Sequence, residues 1–144
     1  MKVIYYIDNN EITQEIDDGQ PVLLLSRRNI TSIRFENCKN SMLQILDLYG
    51  NQLTNIDNVK WPQTLQKLDL SNNHLTSIDN VNWPQSLQTM VLSHNNLTNI
   101  DKVNWPKNLQ TLELSHNQLT NIDKVNWPQS LQISKIYTFQ TLGV

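Results

Sequence analysis

Leucines and polar residues alternate over short stretches of this chain, as residues 65–75 illustrate. The segment reads LQKLDLSNNHL, and its apolar positions are Leu65, Leu68, Leu70 and Leu75. Alternation of apolar and polar side chains is typical of a short β-strand that buries one face. The pattern therefore predicts a strand around Leu68 and Leu70, which is too short to be stable by itself.

This segment is one part of a 22-residue repeat, and internal repeats decide a fold before any single motif does. Four consecutive copies without insertions occupy residues 43–64, 65–86, 87–108 and 109–130, and a degenerate copy precedes them at 22–33. Each strand is then expected to lie parallel to its equivalent, about 4.8 Å away. Two apolar stacks are predicted, Leu46, Leu68, Met90 and Leu112, and Leu48, Leu70, Leu92 and Leu114.

An asparagine follows the second stack by three residues in every full copy. At such a bend, an amide side chain can donate to a backbone carbonyl and accept from a backbone N–H that would otherwise lack partners. We therefore predict a buried structural ladder of asparagines. Its members are Asn51, Asn73, Asn95 and Asn117.

The pattern LxxLxLxxNxLxxI resembles that of the leucine-rich repeat proteins over about residues 20–140. The resemblance implies an α/β-type solenoid with a parallel β-sheet on its concave face. The repeat length resembles the short-repeat subclass of phosphatase regulators and bacterial internalin-type proteins, and residues 84–90 are similar to repeats of bacterial effectors and some protist proteins. Arg28 replaces the family asparagine in the first copy, which fits an atypical terminal repeat.

The second half of each copy contains Ile, Asp, Val, Trp and Pro, as in NIDKVNWP at 121–128. Leu131 follows Asp123 by only eight positions, too few for an α-helix, so a 3₁₀ turn and an extended segment are predicted on the convex face. The aspartates of the four copies are expected to cap this turn, and a row of cation ligands is the alternative. A structural column of buried tryptophans is predicted from Trp61, Trp83, Trp105 and Trp127.

The two ends depart from the repeat and predict caps. Residues 1–20 are expected to form a β-hairpin that turns at Asn9 and Asn10, ahead of the repeats at 21–130. Residues 131–144 are expected to form a last strand and a thin lid, so a homodimer through this apolar edge is an alternative. The apolar residues of the lid are Ile133, Ile136, Tyr137, Phe139, Leu142 and Val144.

Composition and motifs argue against several function classes. The net charge of −2, without runs of Lys or Arg, predicts no nucleic-acid or membrane partner. No signal peptide or transmembrane segment is evident, so a cytoplasmic location is expected. Catalytic and cofactor motifs are missing, which predicts a non-enzyme without cofactors. Cys38 has no disulfide partner, and His94 and His116 share a repeat position without a third ligand, so no metal site is expected.

Residues on the outward face of the sheet vary between copies, whereas core residues barely change. The amino-terminal half of this face is apolar with acidic neighbours, which fits an unidentified protein partner with a basic or mixed surface. We therefore predict a non-catalytic protein-binding module, with a self-assembling or purely structural solenoid as the alternative. The predicted binding residues are Leu24, Ile45, Asp47, Tyr49, Lys67, Asp69, Val91 and Glu113.

Overall fold

The computed structural model describes residues 1–136 of the chain. The lid residues Tyr137, Phe139, Leu142 and Val144 lie outside this range. Every regular element within it is a strand and none is a helix, so the α/β label of the expected fold class is imprecise. The strands are β1 (Lys2–Ile7), β2 (Asn10–Glu15), β3 (Val22–Leu24), β4 (Ser32–Glu36), β5 (Ile45–Asp47), β6 (Lys67–Asp69), β7 (Thr89–Val91), β8 (Thr111–Glu113) and β9 (Ile133–Lys135).

The repeats form one parallel sheet in the order β3-β5-β6-β7-β8-β9, which confirms the predicted solenoid. Leu68 pairs with Leu46 on one side and with Met90 on the other, and Met90 pairs with Leu112. These four side chains are fully buried. Each strand obtains its hydrogen bonds from the neighbouring repeats, which explains why three residues are enough for a strand here.

The chain adopts a left-handed backbone conformation three residues after the end of β3, β5, β6, β7 and β8. The φ angles at this position are 55° at Arg27, 69° at Gly50, 54° at Asn72, 55° at His94 and 57° at His116. A left-handed residue cannot continue a strand, so the chain turns away from the sheet. The structural asparagine of each full copy follows directly and lies in this bend.

A separate antiparallel sheet, in the order β2-β1-β4, covers the first repeat. Strands β1 and β2 form the predicted hairpin, but its turn residues are Asp8 and Asn9, because Ile7 already pairs with Asn10. The predicted turn at Asn9 and Asn10 is therefore one residue too late. Strand β4 comes from the second half of the degenerate copy and pairs with β1, a connection that the repeat pattern did not predict.

The convex half of each repeat contains single hydrogen-bonded turns and no 3₁₀ helix. In the first full copy, the N–H of Val59 donates to the carbonyl of Ile56 at 3.3 Å, and equivalent bonds recur in the other copies. The predicted aspartate cap is wrong. The N–H of Asp57 instead donates to Oδ1 of Asn55 at 2.8 Å, so an asparagine side chain two residues earlier forms an Asx turn at this point. Asn99 and Asn121 accept the equivalent bonds at 2.8 Å, and Ser77 does so at 3.4 Å.

Candidate functional site

Four residues at the amino-terminal end of the concave face form what we call the N-terminal patch: Val22, Leu24, Ile45 and Tyr49. Val22 is 37% exposed and Leu24 is 59% exposed, whereas Ile45 and Tyr49 are half-buried. Val22 pairs with Ile45 in the sheet, and Leu24 pairs with Asp47. The patch therefore consists of apolar side chains on a rigid sheet, next to a carboxylate.

The positively charged side chain of Arg27 lies against the N-terminal patch. The guanidinium carbon of Arg27 lies 5.3 Å from the centre of the Tyr49 ring, within the range of a cation–π contact. Arg27 also packs over Gly50. A Cβ atom added at Gly50 would lie 3.1 Å from Cγ of Arg27. The sequence pattern does not single out Arg27, because its partners come from the next repeat. Nor does it single out Met42, which is 60% exposed in the loop before β5.

Two of the predicted binding carboxylates also hold backbone turns. Oδ1 of Asp47 accepts from the N–H of Tyr49 at 2.9 Å. Oδ1 of Asp69 accepts from the N–H of Ser71 at 2.9 Å and from its hydroxyl at 2.5 Å. Both aspartates are half-buried and pair with each other in the sheet. They therefore stabilise the turns that follow the two strands.

The remaining predicted binding residues lie on neighbouring strands toward the carboxyl-terminal end. Lys67 is exposed on β6, and Val91 and Glu113 are half-buried on β7 and β8. Asp69 pairs with Val91, which in turn pairs with Glu113, so these residues form one row across the sheet. This end of the face is more polar than the N-terminal patch.

The structural asparagines lie in the bends and connect consecutive repeats. In Asn73, Nδ2 donates to the carbonyls of Leu48 at 3.1 Å and Leu70 at 3.0 Å, while Oδ1 accepts from the N–H of Leu53 at 3.0 Å. The same three kinds of bond are present at Asn95 and Asn117. Asn51 makes them with the degenerate copy, and its Oδ1 accepts from the N–H groups of Arg28 and Ile30, both at 3.0 Å. Asn51 thus serves the first bend although Arg28 replaces an asparagine there.

Hydroxyl groups on the convex half form a second set of hydrogen bonds, which the sequence pattern did not predict. Thr64 donates to the carbonyl of Leu43 at 2.6 Å, and Ser86 donates to the carbonyl of Leu65 at 2.5 Å. Ser130 donates in the same way to Leu109 at 2.7 Å. In these three copies, the hydroxyl of the last residue thus satisfies the carbonyl of the first residue of the same copy.

The tryptophans lie on the convex side of the core. Trp61, Trp83 and Trp105 are buried, Trp127 is half-buried, and ring centres lie 6.3 Å apart for Trp61–Trp83 and 6.0 Å apart for Trp105–Trp127. Phe35 of β4 extends the column, 5.9 Å from Trp61. The indole N–H groups of the three buried tryptophans have no hydrogen-bond partner in the described part of the protein. The column therefore stabilises the fold through its apolar area.

Other candidate chemistry is limited within residues 1–136. Cys38 is half-buried beside a recess of about 620 Å³ that Phe35 and Trp61 line, and burial raises the pKa of its thiol above the usual value. His94 and His116 stack, with ring centres 4.2 Å apart. No group of three or more His, Cys, Asp or Glu side chains in this range is placed to hold a metal ion. The same range has no helix of the length and hydropathy needed to cross a membrane.

Comparisons with known proteins agree with this architecture. Two family models described as leucine-rich repeat match the chain, one over residues 63–119 and the other over 42–60 and 108–131. The chain is similar to the leucine-rich repeat domain of a Shigella effector, with 27% identity and a TM-score of 0.65, over 83% of this chain and 50% of that one. An internalin (InlF) of Listeria monocytogenes matches with 17% identity and a TM-score of 0.46, over 79% of this chain and 46% of the other.

The chain thus spans about half the length of these two structures. No protein of curated function matches it.

Proposed function

The chain belongs to the leucine-rich repeat family, and from this premise we propose that it is a non-catalytic module that binds a protein partner through its concave face. The observation that carries the proposal is the N-terminal patch. Val22 and Leu24 expose apolar side chains on a sheet whose opposite face is buried. An apolar centre surrounded by polar residues is the usual arrangement of a protein interface.

The charges around the patch favour one kind of partner. Leu24 pairs with Asp47, which pairs with Asp69, so two carboxylates lie next to the apolar side chains. Arg27 lies over Tyr49 and provides one positive charge at the same end. A partner with an apolar side chain flanked by Lys or Arg would complement this surface. The similarity to a domain of an effector protein supports a binding module within a larger protein, rather than a particular pathway.

A matched pair of lysine substitutions tests the proposal. Val22→Lys places a cation in the N-terminal patch, and Thr111→Lys places one at the equivalent position of β8. Lys67 occupies this position in β6, so both variants are expected to fold. A protein captured by the wild-type chain would be purified and titrated against both variants. We expect Val22→Lys to weaken binding at least tenfold and Thr111→Lys to leave it unchanged, and equal binding by all three proteins would contradict the proposal.

Self-association is the second candidate function, and one observation at the carboxyl-terminal end favours it. Ile122, Trp127, Leu131 and Ile136 are half-buried and line a recess of about 430 Å³, whereas the equivalent Ile100 of the preceding repeat is fully buried. A second copy could cover these apolar groups. Light scattering over a range of concentrations tests this candidate. A dimer that Ile122→Glu disrupts would support it, and a monomer at every concentration would overturn it.

A further inference from the structure

We propose that β3 is an open sheet edge to which the protein partner adds an extended segment as a further strand. The inference rests on the proposed function and deepens it, because it states how the partner contacts the N-terminal patch. In the order β3-β5-β6-β7-β8-β9, strand β3 comes first, and among the described strands it pairs only with β5. An unpaired strand edge is a template for the pairing of another chain.

The backbone of β3 presents hydrogen-bonding groups at this edge. The N–H of Leu25 donates to the carbonyl of Asp47 at 2.8 Å, so this end of the first strand is bound to β5. Alternate residues of a strand direct their N–H and carbonyl groups to opposite sides, so the groups of Leu23 also face β5. Those of Val22 and Leu24 therefore point away from the sheet, toward the open edge.

A side chain already occupies one of these groups. Nε2 of Gln20 donates to the carbonyl of Val22 at 2.8 Å. This is the bond that an N–H of an added strand would make, and it shows that the sheet itself does not use the carbonyl of Val22. Because the bond lies at the surface, an incoming strand replaces one hydrogen bond by another with little change in free energy.

The side chains at this edge are apolar and exposed. Val22 is 37% exposed and Leu24 is 59% exposed, whereas Ile45, which pairs with Val22 from β5, is half-buried. An added strand would place alternate side chains beside Val22 and Leu24 on the concave face. Apolar β-branched residues at two alternate positions of the segment would cover both side chains and favour the extended conformation.

Charges at the two ends of β3 complete the description of the segment. Asp17 and Asp18 precede the strand, and Arg27 and Arg28 follow it, all four being exposed. Asp18 binds the amino group of Met1 at 2.8 Å, whereas neither arginine forms an ion pair within residues 1–136. A segment with an acidic residue near the arginines and a basic residue near the aspartates complements this edge.

A second copy of the chain is a poorer occupant of this edge. Strand β1 pairs with β4 of the degenerate copy, and β2 pairs with β1, so the cap sheet adds two strands ahead of the first repeat. Two copies paired edge to edge would bring these caps together, whereas an extended segment requires only the width of a strand, about 4.8 Å.

Two synthetic peptides, capped at both ends and fluorescently labelled, test the proposal on the full chain. Their sequences are Lys-Thr-Val-Thr-Ile-Thr-Asp and the reverse, because the charges of the edge suit a parallel or an antiparallel strand. We expect one of them to bind, as measured by fluorescence anisotropy. N-methylation of the alternate amides that face β3 should abolish binding, whereas N-methylation of the other set should be tolerated. The side chains are unchanged, so the comparison isolates strand pairing.

Two substitutions at Val22 test the protein side of the same contact. Val22→Pro removes the outward N–H but keeps an apolar side chain, and proline is tolerated at the first residue of a strand. Val22→Ala keeps the N–H and removes two methyl groups. We expect Val22→Pro to bind the peptide at least fivefold more weakly than Val22→Ala, about the effect of one backbone hydrogen bond.

Three results would each overturn the inference: no binding of either peptide, equal effects of the two methylation sets, or equal binding by the two variants. A wild-type dimer that the peptide disperses would assign the edge to a second copy and would also overturn it. The proposed function would survive any of these results if Val22→Lys still weakened binding of the captured protein partner, and it would fall separately if Val22→Lys had no effect.

Discussion

Asn73 donates a hydrogen bond from Nδ2 to the carbonyl of Leu48 in the preceding repeat, at 3.1 Å. The same amide group donates to Leu70 of its own repeat at 3.0 Å, so a single side chain ties two bends together. Asn51 also donates to the carbonyl of Leu48 and Asn95 to that of Leu70, both at 3.0 Å, so each of these buried carbonyls accepts from the asparagines of two repeats. The solenoid thus depends on polar connections between repeats as well as on its leucine core.

Replacement of Asn73 should lower the stability of the fold. Asn73→Ala leaves the N–H of Leu53 without its bond and removes one of the two amide donors from each of the carbonyls of Leu48 and Leu70, and an unpaired buried group costs about 1–3 kcal/mol. We expect the free energy of unfolding to fall by about 1–3 kcal/mol in urea titrations. Asn117→Ala, at a half-buried position with the same bonds, should cost less. Equal losses at the two positions would show that burial does not set the cost.

The tryptophan column should stabilise the fold through the apolar area that it buries, and not through hydrogen bonds of its indole N–H groups. Trp83 is 3% exposed, and its indole N–H has no hydrogen-bond partner among residues 1–136. Trp83→Ala removes a large buried side chain and should cost about 3–5 kcal/mol. Trp83→Phe keeps most of the apolar contact and also removes an unpaired donor, so its cost should be less than half as large. Similar urea midpoints for the two variants would argue against this explanation.

Asp69 should be needed for stability as well as for charge. Its Oδ1 accepts two bonds from Ser71, so Asp69→Ala is expected to lower the free energy of unfolding by about 1–2 kcal/mol. A charge reversal at Asp69 would therefore mix a binding effect with a folding effect, which is why Val22→Lys is the cleaner test of the concave face. Thermal unfolding of Asp69→Ala beside Thr89→Ala, a residue without a capping role in the turn, checks the expectation. Identical midpoints for the two variants would contradict it.

The thiol of Cys38 should react slowly with alkylating reagents. Burial is the main cause that raises its pKa, so less thiolate is present at pH 8 than in an unfolded chain. We expect iodoacetamide to modify the folded chain several-fold more slowly than the urea-unfolded chain at the same pH. Because the folded pKa is the higher one, this thiol favours folding below about pH 8.5, and the contribution is lost as the pH rises further.

The slope of stability against pH provides the control for this prediction. Between pH 8 and pH 10, the wild-type chain should lose more stability than Cys38→Ala, since the variant has no thiol to titrate. The comparison isolates the thiol from other groups that titrate in the same range, such as the amino group of Met1, whose pKa is raised by its hydrogen bond to Asp18. Parallel slopes for the two proteins would contradict the assignment to Cys38.

The repeat by itself determined the solenoid. A 22-residue period with leucines at fixed positions allows one parallel register, in which Leu46, Leu68, Met90 and Leu112 meet. Any shift of that register by one residue would turn Lys67 and Asp69 into the core and the leucines into water. Family and fold could therefore be predicted from the period, because the same local pattern is enforced in every copy.

Contacts between segments that are not equivalent were decided only by the tertiary structure. Strand β4 pairs with β1, and Phe35 then reaches Trp61, although nothing in the residues around Phe35 specifies either partner. The side chain of Asn55, rather than the carboxylate of Asp57, hydrogen-bonds the backbone of the convex turn, and only the backbone path of the folded chain decides which of the two does so. The exposure of Val22 and Leu24 was also decided by the tertiary structure. The sequence pattern placed both residues on the outward face of the sheet. Their strand β3 lies at the edge of the described sheet beside β5, and only the packed structure shows how much of each side chain remains in water.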